Sequence, residues 1–300
     1  MAGSLKIDRM ELADTGNPNK LAELVIDQLK TQLNKLLPIP IEEVATSCGI
    51  EAFHELSTDS FEGGLIQNEE KTRGYILVKS GSRQDRRRFT VAHELGHFIN
   101  PYHVAPEGAD RLLCTKLDMN LDDTATRDPR LNMEAQANEF AANILMPEKP
   151  LRAISMLWGS PQIQSILDLQ TTCNVSKEAA ARRYLDLHGE PSAIVFSKDG
   201  KVRYSLCRGG FPTLALSKNQ PIHRKTLTAL FRDQPGTISE QEEADSHLWL
   251  NDSDAVNWDL WEELLVQQDG YRMTLLLAEK NSRAEDDKLE ERWTPRFHYK

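Results

Sequence analysis

The stretch Arg86–Asn100, RRRFTVAHELGHFIN, decides how the rest of this 300-residue chain is read. Phe89, Val91, Ala92, Leu95, Phe98 and Ile99 leave no polar face around it, so the spacing predicts a helix that is largely buried. His93 and His97 stand four positions apart and therefore share one face, about a turn from each other. Glu94 is the adjoining carboxylate. Gly96, inside the same helix, costs about 1 kcal/mol relative to Ala. A glycine kept there predicts the close approach of another element.

Two imidazoles one turn apart can ligate a single metal ion, and HExxH is the zincin arrangement, in which the histidines hold zinc and the glutamate takes a proton from water. A catalytic zinc takes three protein ligands and keeps one position open, so a third ligand must come from elsewhere. Leu131–Met146, LNMEAQANEFAANILM, reads as an alanine-rich helix stopped by Pro147. Leu131, Ala135, Asn138, Ala142 and Leu145 lie near one face, and Glu134 stands one position from that stripe. Glu134 is the expected third ligand, because this helix must pack on the histidine helix to bury Phe140, Ala141, Ile144 and Leu145. Asp118, Asp122, Asp123 and His103 are next in line. They come from the acidic segment 101–130, read as an irregular functional loop or insert. Tyr102 and His103, just past the motif helix, are candidates for an oxyanion stabiliser.

Composition narrows the class. The apolar fraction is 39% and the charged fraction 27%, ordinary for a soluble globular protein. No apolar run approaches a bilayer span and the N-terminus lacks the apolar core of a signal peptide, so a cytoplasmic protein is expected, without membrane contact. A net charge of −10 argues against a nucleic-acid binder. The basic run Arg83–Arg88 reads as a salt-bridged helix start more readily than as a contact for an acidic substrate. Cys48, Cys114, Cys173 and Cys207 are widely spaced, form no CxxC pair, and read as small buried hydrophobes.

In chain order, residues 1–17 are expected to fray. Helical spacing runs from Pro18, capped by Asn17, through Leu37 to the Pro38 and Pro40 stop, and Ile41–Cys48 is a second helix ended by Gly49. Ile50–Leu56 and Gly74–Ser80 read as strands, and the polar segment 57–73 between them, with Gly63 and Gly64, as a turn or ragged hairpin beside the sheet. Helices are expected from Ser160 and Ser176. Two hairpins with Asp-Gly turns then surround a short helix at Lys225–Phe231, and a charged helical tail closes the chain at Glu279–Glu291. The fold class is therefore α+β: a zincin-like catalytic domain over 18–189, followed by a smaller α+β regulatory or recruitment module over 190–300, with Trp249, Trp258 and Trp261 as core aromatics.

RRRFTVAHELGHFI followed by MEAQANEFAANILMP resembles the paired blocks of the ImmA/IrrE family of bacterial zinc metallopeptidases, and Ile41–Gly49 looks like the family's helix before the sheet. The resemblance runs from about Pro38 to Leu187. It implies His93, His97 and Glu134 as zinc ligands and Glu94 as the catalytic glutamate. It also implies, as substrate or neighbour, a helix-turn-helix repressor in a stress or mobile-element response. Some members carry their own N-terminal helix-turn-helix domain, for which the 37 residues before Pro38 are too few, so the partner is expected to be a separate protein. The leading expectation is a zinc endopeptidase that cleaves a transcriptional regulator. The rivals are a zinc-containing protein that docks without cutting, and a DNA-binding regulator using the 160–188 helices.

Overall fold

The computed structural model describes residues 5–58, 60–104, 111–115, 118–120 and 128–281; Asp122, Asp123 and the tail from residue 282 lie outside them. The chain divides into two compact units, 1–153 with 169–179 and 154–168 with 180–300. No helix among the described residues is long and apolar enough to cross a membrane. Helices and sheets occur in both units, the α+β class expected.

In the first unit, Asn17 Oδ1 accepts from Lys20 N at 3.0 Å and Pro18 fills the first turn, so α1 (Pro18–Lys30) starts where its sequence signals put it. It stops short of Leu37. Thr31 Oγ1 and Gln32 Nε2 take the Gln28 carbonyl, at 2.8 and 3.2 Å, which a continuing helix would give to the Gln32 N–H. Residues 5–17 lie along α1 where fraying is expected: the Gln28 and Gln32 side chains pair with the backbone of Asp8 and Lys6, and Leu12 is buried. The tail's polar backbone finds amide partners on a helix already in place.

After α2 (Ile41–Ser47), Gly49 turns the chain at φ 112°, where an added Cβ would stand 2.5 Å from Thr72 O. Strands β1 (Ile50–Leu56), β2 (Gly63–Gln67), β3 (Gly74–Lys79) and β4 (Arg111–Cys114) form one sheet in the order β1-β3-β2-β4. Only β1 and β3 run parallel. The expected turn between β1 and β3 thus contains a strand, because GGLIQ is too short and glycine-rich to announce itself by propensity. The irregular segment 101–130 likewise contains β4, whose pairing to β2 is long-range and leaves no local signature.

Helix α3 (Gln84–Ile99) packs on α2, β2, β3 and α4 (Pro129–Leu145), and every residue from Thr90 to Ile99 is buried. The close approach predicted at Gly96 is to α4: a Cβ there would lie 2.9 Å from the Phe140 ring. Lys71 Nζ takes the last carbonyls of α3, His97 O at 3.0 Å and Asn100 O at 2.7 Å. The basic run at its start is engaged internally. Arg86 pairs with Glu62, Arg87 with Glu42 and Glu55, and Arg88 donates to Ile39 O and Asn174 O. Beyond Pro147 a further helix, α5 (Glu148–Ser155), begins.

Helices α6 (Ile163–Cys173) and α7 (Lys177–His188) occur as expected, but 163–168 and 180–188 group with the C-terminal unit. Ile163 N donates to Glu263 Oε2 at 2.7 Å, which ties α6 to that unit's sheet. Strands β5 (Ser192–Lys198), β6 (Lys201–Arg208), β7 (Glu242–Ala244), β8 (Trp258–Val266) and β9 (Tyr271–Lys280) form it in the order β6-β5-β9-β8-β7. Both Asp-Gly turns have positive φ at each residue, 50° and 75° at Asp199-Gly200, 54° and 74° at Asp269-Gly270. Trp249 is fully buried and Trp258 packs against its cluster. Its indole donates to the buried Glu262 at 3.2 Å; the same carboxylate caps the short helix α8 (Leu227–Leu230) through Leu227 N and Thr228 N.

Gly96→Ala tests the α3–α4 contact. Helix propensity alone favours Ala by about 1 kcal/mol. Overpacking a buried ring near its stem costs about 1–3 kcal/mol, so the variant should unfold at lower urea concentration than wild type. A rise in the midpoint would mean the helices are less tightly apposed at Gly96.

Candidate metal centre

Because α3 and α4 cross at Gly96, His93 and His97 on one helix face Glu134 on the other. His93 Nε2 lies 3.2 Å and His97 Nε2 3.5 Å from Glu134 Oε2, and the two Nε2 atoms are 3.1 Å apart. All three side chains are buried. A fourth donor joins them: Cys114 Sγ, from β4, is 3.9 Å from both His97 Nε2 and Glu134 Oε1. Donor atoms of His93, His97, Cys114 and Glu134 all lie within 4.8 Å of one another. A tetrahedral zinc with bonds of about 2.0–2.3 Å spaces its donors roughly 3.3–3.6 Å apart, so the cluster has the size of a metal shell.

The hydrogen bonds behind the imidazoles say which nitrogens are free. Asn138 donates Nδ2 to Asp118 O at 2.8 Å, so its Oδ1, 2.9 Å from His93 Nδ1, accepts the proton there. His93 Nε2 is left as a lone pair. His97 Nδ1 meets His103 Nδ1 at 3.0 Å, and His103 Nε2 lies 3.0 Å from both Gln136 Oε1 and the Asn100 amide nitrogen; the tautomer in which His103 donates to Gln136 runs the chain outward from His97 and frees its Nε2 as well. Two lone pairs and a carboxylate then point at one another in a buried space. A cation among them relieves the repulsion, which is the sense in which these residues fit zinc.

The protonation of the bare cluster carries the same message. Burial works against charge on His93, yet hydrogen bonding to Glu134 and the fields of Glu94 and Glu134 outweigh it and raise its pKa. Burial wins at His97, which is lowered. At Glu134 burial opposes ionisation, but the hydrogen bonds from both histidines hold the carboxyl well below its usual range. Burial, with Glu94 and Glu134 nearby, pushes the Cys114 thiol well up.

Glu94 is different. It is fully buried, and neither of its carboxylate oxygens accepts a hydrogen bond of ordinary geometry among the described residues; the Cys114 thiol is the one donor close enough to favour its ionised form. Burial lifts its pKa to about 7, with His93 opposing and Glu134 adding to the rise. Gly63 makes its place: a Cβ on that glycine would stand 2.6 Å from Glu94 Oε1.

The other candidates fall away from the centre. Asp118 is held by Thr115 and by Arg130 at 3.1 Å. His103 sits behind His97, on the ring edge opposite Nε2, where burial and His97 depress its pKa to about 3, and its Nδ1 meets that of His97 at 3.0 Å. Tyr102 is exposed, with its ring against Gly16. Cys114 is the residue that spacing missed. Its partners are remote in sequence, and only the pairing of β4 with β2 brings the sulfur in.

Residues 49–185 match the family model of the IrrE N-terminal-like domain, the M78 peptidases. This segment is an IrrE N-terminal-like domain. The match takes in α3, α4 and all four clustered donors, and it gives the first unit's helix-and-sheet arrangement its zincin-like identity. No curated protein matches the chain. Together the M78 domain and the buried donor cluster point to metalloprotease chemistry, and the cluster is compatible with zinc.

Zinc and protons compete for the two Nε2 lone pairs. Since His93 is raised above 6.5 in the bare cluster, His97 lowered and Glu134 held ionised, zinc affinity should weaken as pH falls, first by charging His93 and then by charging His97. Zinc retained after dialysis at stepped pH measures this; full retention down to about pH 5 would speak against histidine ligation.

Proposed function

We propose that the chain is a zinc-dependent endopeptidase in which His93, His97 and Glu134 hold the ion and Glu94 is the general base. The observation that carries this reading is the buried Glu94 carboxylate, which has no well-formed hydrogen bond among the described residues and only the Cys114 thiol beside it, next to a cluster with the size of a metal shell. Burying a carboxylate unpaired costs several kcal/mol on an order-of-magnitude scale, so a missing polar partner is implied, and a reacting water fits. Zinc bound at the cluster supplies Lewis-acid polarisation of a scissile carbonyl and a water acidified to a pKa of about 7. Glu94 would be the group that holds the water's proton and passes it to the leaving amine. Asn138 and His103 keep the histidines in the tautomers that leave Nε2 free.

The substrate in this reading is a protein regulator, a helix-turn-helix repressor encoded separately, in a stress or mobile-element response. Support for that class is the likeness of the paired motif blocks to the ImmA/IrrE family. The second unit, in which we identify no catalytic constellation among the described residues, recruits or regulates. A second reading, a non-cleaving protein that controls its partner by docking, is favoured by one observation: Cys114 stands where it could close the fourth metal position.

The two glutamates separate these readings. Glu94→Gln keeps the shape and removes the basicity. It should hold zinc as wild type does while cleavage of the captured partner falls about 100- to 10,000-fold, the range for general-base catalysis. Glu134→Ala should lose zinc and cleavage together. Partners recovered on the Glu94→Gln protein and identified by mass spectrometry supply the substrate. If Glu94→Gln still did what wild type does, docking would be the function.

A further inference from the structure

We propose that Cys114 is a fourth protein ligand of the same ion, so that the resting centre is closed by sulfur and becomes catalytic only when Cys114 withdraws. The inference rests on the metal centre proposed above and concerns its regulation.

Geometry carries it. Cys114 Sγ lies 3.9 Å from both His97 Nε2 and Glu134 Oε1, and Cys114 is fully buried. Its direction follows from strand register. Cys114 pairs with Gly63, and residues opposite each other across an antiparallel ladder project to the same face. The Cβ that Gly63 lacks would point at Glu94 Oε1, 2.6 Å away, so that face is the one toward the centre. Glycine at position 63 leaves the Cys114 side chain and the Glu94 carboxylate sharing a space that any larger residue would fill. Cys48, Cys173 and Cys207 take no part in the cluster.

Chemistry agrees with the geometry. Thiolate, imidazole and carboxylate are all zinc ligands, and four protein ligands make a closed site whereas three leave room for water. On closing, the thiol gives up its proton to solvent and the sulfur takes the water's position. On opening, the sulfur takes a proton back and a water enters beside Glu94. No oxidant is needed. The strand that must move is short and peripheral: among the described residues β4 has four residues and pairs with β2 alone, at the edge of the sheet. Withdrawing it leaves the β1-β3-β2 pairings intact.

Cobalt(II) in place of zinc reads the sulfur directly. The full-length wild type, loaded with one equivalent, should show near-ultraviolet sulfur-to-cobalt charge-transfer absorption, and Cys114→Ala should lose it while still binding cobalt, at least about tenfold more weakly. Acetohydroxamate, which needs an open position, should shift the visible cobalt bands of Cys114→Ala and leave those of wild type unchanged. Cys114→Ser, with matching far-ultraviolet circular dichroism, repeats the comparison should the alanine variant misfold. Wild-type cobalt protein without the charge-transfer band, a band that survives both substitutions, or hydroxamate shifts equal in wild type and variants would overturn the fourth ligand and leave the three-ligand centre standing. Cobalt binding untouched by His93→Ala and His97→Ala would instead overturn the centre itself.

Discussion

Two imidazole lone pairs and a carboxylate facing one another inside a buried helix contact are the constraint on which the first unit depends. Left alone they repel, and the bare cluster shifts to offset this, with the His93 pKa raised and that of Glu134 lowered. What keeps them converged is the apolar packing around them. Val91, Ala92, Leu95 and Phe98 on α3 and Ala137, Phe140, Ala141 and Ile144 on α4 are fully buried or nearly so, and the contact at Gly96 brings the helix axes close enough for side chains on each to share one ion. Burying those side chains contributes roughly 1.5–3 kcal/mol for each large one, enough together to hold a polar site that would not assemble by itself.

Around that contact the fold supplies orientation. Asn138 is fixed by the backbone of Asp118, which orients the His93 ring, while His103, between Gln136 and Asn100, backs the His97 ring. Lys71 and Arg9 reach from the loop before β3 and from the N-terminal segment to the end of α3: Lys71 takes the His97 and Asn100 carbonyls, and Arg9 lies over the Phe98 ring while donating to Lys71 O. The residues expected to fray therefore brace the helix that carries the histidines. The sheet contributes the fourth side of the site through β2 and β4, one strand lending an absent side chain at Gly63 and the other a sulfur.

The second unit is built by a different rule. Its hairpins are set by two Asp-Gly turns, and its core closes over Trp249, whose indole shares the buried Glu262 with the start of α8. The IrrE-like match ends at residue 185, so this sheet, which begins at Ser192, falls outside the matched segment.

By sequence alone, several local features were decided, though not where α1 ends. HExxH spacing put His93, Glu94 and His97 on one helix; Asn17 with Pro18 set the start of α1; Asp-Gly pairs set both hairpins; and Gly96 announced a close neighbour. Each rests on periodicity, capping or turn chemistry, which act over a few residues and can be read from the order of side chains. Tertiary structure decided what depends on contacts far apart in the chain. The strand GGLIQ exists because β3 and β4 flank it, Arg86 and Arg87 pair with acids up to 45 residues away while Arg88 donates to backbone carbonyls, and His103 turns from candidate reactant to support because it packs behind His97. Cys114 carries no local sign of its place, since an isolated cysteine in a short edge strand reads as a small hydrophobe. Only the β2–β4 register, closing a loop of about fifty residues between Gly63 and Cys114, sets its sulfur beside His97 and Glu134, because ligand geometry is a property of folded space and not of sequence spacing.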